Sequence, residues 1–145
     1  MAKKQNFSNH VRLVPMYHFV LFTIVLAINV FAIVNFITTF QGQNAFIPAV
    51  LFELISLYIL FSFVIFRVFS LKAQDRAIRA EENLRYYALT GKLMDSRLTL
   101  SQIIALRFAP DDELVELALR TLKENLSNKA IKQAIINWRE DFHRV

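Results

Sequence analysis

The chain contains no cysteine and only two glycines in 145 residues. Without cysteine it forms no disulfide, offers no thiolate nucleophile and lacks the ligands of cysteine-bound zinc and iron–sulfur sites. Two isolated glycines, Gly42 and Gly91, do not make the glycine-rich loop that holds a nucleotide phosphate. No HExxH or GxSxG motif occurs, and no two histidines have the spacing of metal ligands on a helix. We therefore expect no enzyme activity, no cofactor, no metal and no identifiable small-molecule substrate.

Charge is nearly balanced over the second half of the chain. The formal net charge is +5, but residues 70–145 hold 13 basic and 11 acidic side chains. This small excess does not provide the basic surface of a nucleic-acid-binding protein, so we expect no nucleic-acid partner. The other basic residues flank apolar sequence, with Lys3, Lys4 and Arg12 before it and Arg67 at its end.

Two long apolar runs, residues 19–40 and 47–69, dominate the first half of the chain. A helix as long as either run measures about 33 Å, against a hydrocarbon core of about 30 Å. The first run is too long for the apolar part of a cleaved signal peptide, and a second run follows closely. We predict transmembrane helices at 19–40 and 47–69, joined by an external turn at 41–46.

Basic residues predict the orientation of this hairpin. The turn is uncharged, whereas basic residues precede the first span and follow the second. Because short cytoplasmic segments are rich in lysine and arginine, residues 1–18 and 70–145 are expected in the cytoplasm. A juxtamembrane basic collar comprises Arg67, Lys72, Arg76 and Arg79. Topology alone accounts for the collar, and binding of anionic lipid headgroups is an extension of the same charge pattern.

The second span is predicted to continue as a helical stalk over residues 70–90. From Pro48 to Tyr87 there is no glycine and no further proline, so one uninterrupted helix is expected. The stalk has an apolar seam with the alternating steps of three and four residues found in coiled coils. The members of this seam are Ala73, Ala77, Ala80, Leu84 and Tyr87. The pattern indicates a helix-packing face, although alanine also simply favours helix.

Residues 91–145 are predicted to form a cytoplasmic module of three short helices. Thr99 and Gln102 have the spacing of a capping box at the start of the first helix. Pro110 begins the second helix, and the acidic residues that follow it suit the positive end of the helix dipole better than a metal site.

The last predicted helix is capped by Asn128 and runs to Phe142, with its apolar residues on one face. Short one-sided helices need partners, so the three helices should pack together and against the alanine-lined stalk. His10 and His18 are interpreted as interfacial or solvated side chains in preference to a metal or proton site, because no carboxylate lies near them in sequence and His143 is remote.

Polar residues that lie within the predicted spans include Asn29, Asn35, Glu53 and Ser56. An ionisable side chain in lipid is costly enough to be a functional candidate by default. If the hairpin turn is centred on residue 44, Glu53 comes level with Asn35. Glu53 is then a proton or cation site, an anchor for a basic residue of a partner, or a group that only hydrogen-bonds within the hairpin. The sequence leaves these alternatives open.

Four stretches resemble an uncharacterised family of small bacterial membrane proteins with two spans and a cytoplasmic helical tail. They read QNFSNHVRLVPMYHFV at 5–20, KAQDRAIRAEENLR at 72–85, QIIALRFAPDDEL at 102–114 and KAIKQAIINW at 129–138. The resemblance covers nearly all of the chain and is most specific in QDRxIRxEExLR and IALRFAxDxEL. It implies a bacterial inner-membrane protein of this architecture and implies no reaction.

The resemblance also marks a set of motif residues, most of them charged, for testing. They are Gln74, Asp75, Arg76, Arg79, Glu81, Glu82, Arg85, Arg107 and Asp111. Salt bridges inside the tail would explain them without any further role. On the stalk itself, Asp75 with Arg79 and Glu81 with Arg85 have the four-residue spacing of helical ion pairs.

The fold class expected from these patterns is an all-α membrane protein, a two-span hairpin whose second helix continues into a stalk and a helical module. The leading functional hypothesis is a non-enzymatic protein of the bacterial inner membrane that assembles through its helices. It would be a homo-oligomer or a small accessory subunit of a larger membrane complex. The alternative is an oligomeric channel or proton pathway built around Glu53. A lipid-active enzyme is the weakest alternative, because no catalytic base is found.

Overall fold

The computed structural model describes residues 5–11, 13–40 and 46–141, and within these ranges the regular structure is helical. A π-helical segment, Met16–Leu21, leads into α1, Phe22–Phe40. The long helix α2 spans Phe46–Thr90, and three short helices follow: α3, Leu100–Leu106, α4, Asp111–Glu124, and α5, Asn128–Ala134. The predicted all-α fold class is confirmed. The predictions for Lys3, Lys4, Arg12, the turn residues 41–45, Phe142 and His143 lie outside the described residues.

The chain divides into two compact units. One, the hairpin unit, is Leu13–Ser70, and the other, the tail unit, combines Met1–Arg12 with Leu71–Val145. Helix α2 contributes its first part to the hairpin unit and its last part to the tail unit. The prediction of one uninterrupted second helix is therefore confirmed.

In the hairpin unit, aromatic contacts join the two apolar helices. The Tyr17 ring stacks on Phe63 at 4.4 Å between centroids, and its hydroxyl donates to the Phe63 backbone oxygen at 2.9 Å. Near the other end, the Phe36 and Phe46 rings lie 6.4 Å apart. These contacts define an antiparallel register that is offset from the predicted one by six to eight residues, about two helical turns. Side-chain packing sets this register, and the position of the turn in the sequence does not reveal it.

Small residues form the interface of the hairpin. Ala49 and Ser56 of α2 are buried, as is Ala32 of α1, whereas most large apolar side chains of both helices are exposed. Such outward-facing apolar surface is costly in water and favourable in lipid. Both helices, Met16–Thr39 and Phe46–Thr90, are long and apolar enough to span a membrane.

The tail unit has a core of its own between α3, α4 and α5. Its fully buried side chains include Phe108, Ile103, Leu106, Leu114 and Ile131. Thr99 caps α3, because its hydroxyl accepts from the Gln102 N–H while the Gln102 side chain accepts from the Thr99 N–H. The predicted capping box is confirmed. The predicted cap of α5 is wrong by one residue, since the Ser127 hydroxyl accepts from the Ala130 N–H.

The connection from the stalk to α3 is fixed by its own backbone and side chains. Gly91 has φ of +72°, a conformation that glycine adopts without strain, and α2 ends at Thr90 immediately before it. Hydrogen bonds from the Arg97 guanidinium, and a further one from its backbone N–H, lower the pKa of the Asp95 carboxyl to about 2. This turn therefore stays ion-paired well below neutral pH.

The last helix is shorter than predicted. It ends at Ala134, and Ile135 is extended with φ of −69° and ψ of 122°. The next two backbone N–H groups, of Ile136 and Asn137, donate to the Glu113 carboxylate at 2.9 Å each, and the Arg139 N–H donates to the Phe108 oxygen. These acceptors replace the carbonyls of another helical turn, so the apolar periodicity that predicted a helix to Phe142 was misleading.

The buried position of Ile131 yields a stability prediction. Ile131→Ala should lower the free energy of unfolding by about 2–5 kcal/mol, because it removes buried methyl groups and leaves a cavity. Unfolding of the full chain in detergent with urea would be followed by fluorescence of Trp138, the single tryptophan, which lies 5.0 Å from Phe108. Ile136 is 83% exposed, so Ile136→Ala is the matched control and should change stability by less than about 0.5 kcal/mol. Equal losses in the two variants would contradict this core.

Candidate functional site

One side of the stalk is buried against the helical module through an ion cluster, which we define as Glu82, Arg85, Asp111 and Arg139. Glu82 is only 5% exposed, and its two carboxylate oxygens bind Arg85 at 3.0 Å and Arg139 at 3.4 Å. Ile78, one turn earlier on the same side, is also buried. The cluster therefore fixes which side of the stalk faces the module.

Arg85 is the centre of the ion cluster. Besides Glu82, its guanidinium binds the Asp111 carboxylate at 2.6 Å and donates to the Ala109 backbone oxygen at 2.8 Å. The side chain of Arg85 is 12% exposed, so these bonds compensate the loss of water around a buried charge. Asp111 thus joins the start of α4 to the stalk in addition to lying at the positive end of its helix dipole.

The helical ion pairs predicted along the stalk are wrong. Arg85 binds Glu82, three residues earlier, and Asp111 in place of Glu81. Neither Asp75 nor Arg79 makes an ion pair within the part of the chain that the structure describes. Arg85 binds one buried carboxylate on its own helix, Glu82, and makes a tertiary contact with Asp111, and together these outweigh an exposed pair worth a few tenths of a kcal/mol.

A second polar contact joins residues from opposite ends of the sequence. Arg107, 8% exposed, forms an ion pair with Asp141 at 3.2 Å. The backbone N–H of Asp141 donates to the Gln5 side-chain oxygen at 2.9 Å, and the Gln5 amide donates back to the Asp141 backbone oxygen at 3.4 Å. Residue 5 is thereby held against residue 141.

His10 makes a further contact between residues 5–11 and the module. Its ring packs near Phe108 and Trp138, with centroids 5.8 and 5.6 Å away, and its Nε2 lies 3.2 Å from Lys132 Nζ. Because the lysine ammonium is only a donor, Nε2 acts as the acceptor, and Nδ1–H donates to the Phe7 oxygen at 2.8 Å. His10 is therefore not fully solvated, which was one of the two alternatives, since its half-buried ring packs against the core of the tail unit.

A polar cavity of about 340 Å³ lies beside the ion cluster. It is lined by Gln74, Ile78, Glu81, Glu82, Arg107, Arg139, Glu140 and Asp141. The Gln74 side-chain oxygen is buried with no hydrogen-bond donor. Two ion pairs lie at this cavity, Arg107 with Asp141 and Arg139 with Glu82, and the described residues contain no cluster of three or more potential metal ligands. The ion pair between Glu82 and Arg139 at this cavity holds the module against the stalk.

The predicted seam lies on another side of the stalk and is open to solvent. Its three alanines are exposed, and its larger members Leu84 and Tyr87 are 68% and 52% exposed. The module does pack against the stalk, but through the side of Glu82 and Arg85 and not through the alanines. The ion cluster lies on the Ile78 and Glu82 side of the helix, and this leaves the seam without a partner among the described residues.

The four residues of the basic collar have different surroundings. In the tail unit, Lys72, Arg76 and Arg79 are exposed. In the hairpin unit, Arg67 is half-buried, and its guanidinium carbon lies 5.2 Å from the centre of the Tyr17 ring. Such a cation–π contact holds this arginine at the end of the apolar part of α2.

The polar residues of the hairpin do not pair as predicted. Asn35 is exposed, whereas the observed register brings Asn29 level with Glu53. Asn29 is buried and donates to the Val25 oxygen at 2.8 Å. One carboxylate oxygen of Glu53 is buried and has no hydrogen-bond partner, while the Ser56 hydroxyl donates to the Glu53 backbone oxygen. Glu53 is thus the one described residue of the hairpin with an unsatisfied buried side-chain oxygen.

A family model described as "Family of unknown function (DUF6526)" matches residues 1–145. The chain belongs to the DUF6526 family. No curated protein and no solved structure matches it significantly. The resemblance noted in the sequence is thus confirmed for membership of an uncharacterised family. The residues that it marked include Glu82, Arg85, Arg107 and Asp111, and in this DUF6526 chain each of these four takes part in an ion pair of the tail unit.

Several contact residues were missed by the sequence analysis of this DUF6526 chain. They are Gln5, Glu113, Arg139 and Asp141, together with His10. Their partners are distant in sequence, so no local pattern identifies them. The QNFSNH segment was the one available signal, because it lies within the family resemblance and outside the apolar runs.

The ion cluster yields a second stability prediction. Glu82→Gln should destabilise the tail unit by about 3 kcal/mol, because it removes one partner of a buried charge pair and leaves the other. Glu81→Gln is the matched control, since Glu81 is exposed and makes no ion pair with any described residue. Urea unfolding in detergent, read from Trp138 fluorescence, would compare the two. A similar stability for both variants would show that Glu82 does not fasten the module.

Proposed function

We propose that this DUF6526 protein is a non-enzymatic protein of the bacterial inner membrane that assembles through its helices. It acts as a homo-oligomer or as a small accessory subunit of a larger membrane complex. The exposed apolar seam carries this proposal. The stalk binds the module on one side and exposes an apolar seam on another, and such an exposed seam is suited to bind a further helix.

The membrane location is supported by the two apolar helices and by the outward position of their large side chains. The contact between Gln5 and Asp141 supports a hairpin with an even number of crossings, because groups that hydrogen-bond directly lie on the same side of a membrane. The excess of basic residues at both flanks of the hairpin favours the cytoplasm for that side.

Membrane lipids are the second proposed partner. Lys72, Arg76 and Arg79 are exposed and close to the end of the apolar part of α2. Exposed basic side chains near a membrane surface attract anionic headgroups by about 1 kcal/mol each.

The proposal predicts that the purified protein is not a lone monomer. In mild detergent, native mass spectrometry should find more than one copy or a defined co-purifying chain. Ala77→Glu places a charge in the apolar seam and should abolish that assembly. Arg79→Glu is the matched control, because Arg79 is exposed and lies off the seam, and it should leave assembly intact. A wild-type monomer without any co-purifying chain would refute the proposed function.

A second candidate function is a proton or cation pathway through an oligomer. Glu53 favours it, because one of its carboxylate oxygens is buried in an apolar hairpin without a hydrogen-bond donor. Such a group destabilises the hairpin, and a role in proton or cation transfer would account for its presence. The exposed Asn35 does not donate a hydrogen bond to this oxygen, so the donor or cation would come from outside the hairpin.

This second candidate predicts proton or cation flux in liposomes that contain the purified protein. A pH-sensitive dye would report proton entry, and Glu53→Gln should abolish it because the substituted side chain cannot exchange a proton. Asn35→Ala, at an exposed position of α1, should leave the flux unchanged. Absence of flux in the wild type, or equal flux in Glu53→Gln, would eliminate the pathway.

A further inference from the structure

We infer that the stalk pairs in parallel with the stalk of a second copy of this chain, with Arg76 of each copy against Glu81 of the other. This inference rests on the proposed function and specifies its partner. It depends on three observations about the tail unit: the composition of the exposed seam, the side of the stalk that the module occupies, and the charges beside the seam.

The seam repeats as the inner positions of a two-stranded coiled coil. Its steps alternate between four and three residues from Ala73 to Tyr87. Three alanines allow the two backbones to approach closely, and at the far end Leu84 and Tyr87 supply large apolar surface that is now 68% and 52% exposed. Pairing would remove this surface from water, which provides the driving force for association.

The module leaves room for the second stalk. The residues that hold the module, Ile78, Glu82 and Arg85, occupy the outer positions of the same repeat. A second helix on the seam therefore meets neither the ion cluster nor the core of the tail unit.

The charges beside the seam select a second copy as its partner. Arg76 and Glu81 lie on opposite flanks of the seam, both are exposed, and neither makes an ion pair with any described residue. In a parallel pair, a residue in the position of Arg76 lies next to the position of Glu81 on the other helix. In a two-fold symmetric pair, the contact between Arg76 and Glu81 forms twice. An unrelated helix would make both contacts only if it carried the same two charges in the same register.

The direction of pairing follows from the proposed membrane hairpin. Copies inserted in one membrane with the same topology present their stalks in the same direction, so their pairing is parallel. An antiparallel pair would bring equivalent flanks together and would lose the contacts between Arg76 and Glu81.

Cysteine cross-linking in native membranes tests the pairing, because the chain has no cysteine of its own. Ala80→Cys places a thiol at an inner position, where a symmetric pair brings the two copies together. Mild oxidation should give a disulfide-linked dimer of Ala80→Cys. Arg79→Cys is the matched control at an exposed outer position and should give little dimer.

Charge reversal tests the register. In the Ala80→Cys background, Arg76→Glu alone or Glu81→Arg alone should lower the dimerisation constant by roughly tenfold, because each places like charges together twice. The combined Arg76→Glu and Glu81→Arg variant should restore the wild-type value. Trp138 fluorescence checks that each variant keeps its folded tail unit.

The outcomes separate this inference from the proposed function. Equal cross-linking of Ala80→Cys and Arg79→Cys, or no recovery in the double reversal, overturns the parallel pair. A single copy that co-purifies with a different chain overturns the pair and leaves the proposed function standing. A lone monomer without any other chain removes both.

Discussion

The buried bond between Glu82 and Arg85 is the constraint on which the tail unit depends. Both side chains lie in the stalk, and each also binds the module, Glu82 through Arg139 and Arg85 through Asp111 and the Ala109 oxygen. A buried charge left without its partner is strongly destabilising, so the module has one favourable position around the helix. The apolar seam remains exposed for this reason.

The local features of the fold were predictable from sequence. The uninterrupted α2, its end before Gly91 and the Thr99 cap depend on residues within a few positions of one another. Helix propensity, glycine at positive φ and capping hydrogen bonds act over that range. The same reasoning identified the apolar seam, because a helical repeat is visible in the spacing of its residues.

Features set by distant contacts were not predictable. The stretch from Ile135 onwards has the apolar spacing of a helix, yet Glu113 and the Phe108 oxygen accept its backbone N–H groups and keep it extended. The hairpin register likewise depends on Tyr17 stacking on Phe63, and this contact changes the residue that lies level with Glu53. Each of these contacts joins residues more than 20 positions apart.

The contact between Gln5 and Asp141 has a consequence for biosynthesis. These residues are 136 positions apart, so Gln5 is synthesised long before Asp141. Gln5 therefore lacks this partner while both apolar helices and most of the module are synthesised. The tail unit therefore gains the contact between Gln5 and Asp141 only after translation has passed residue 141.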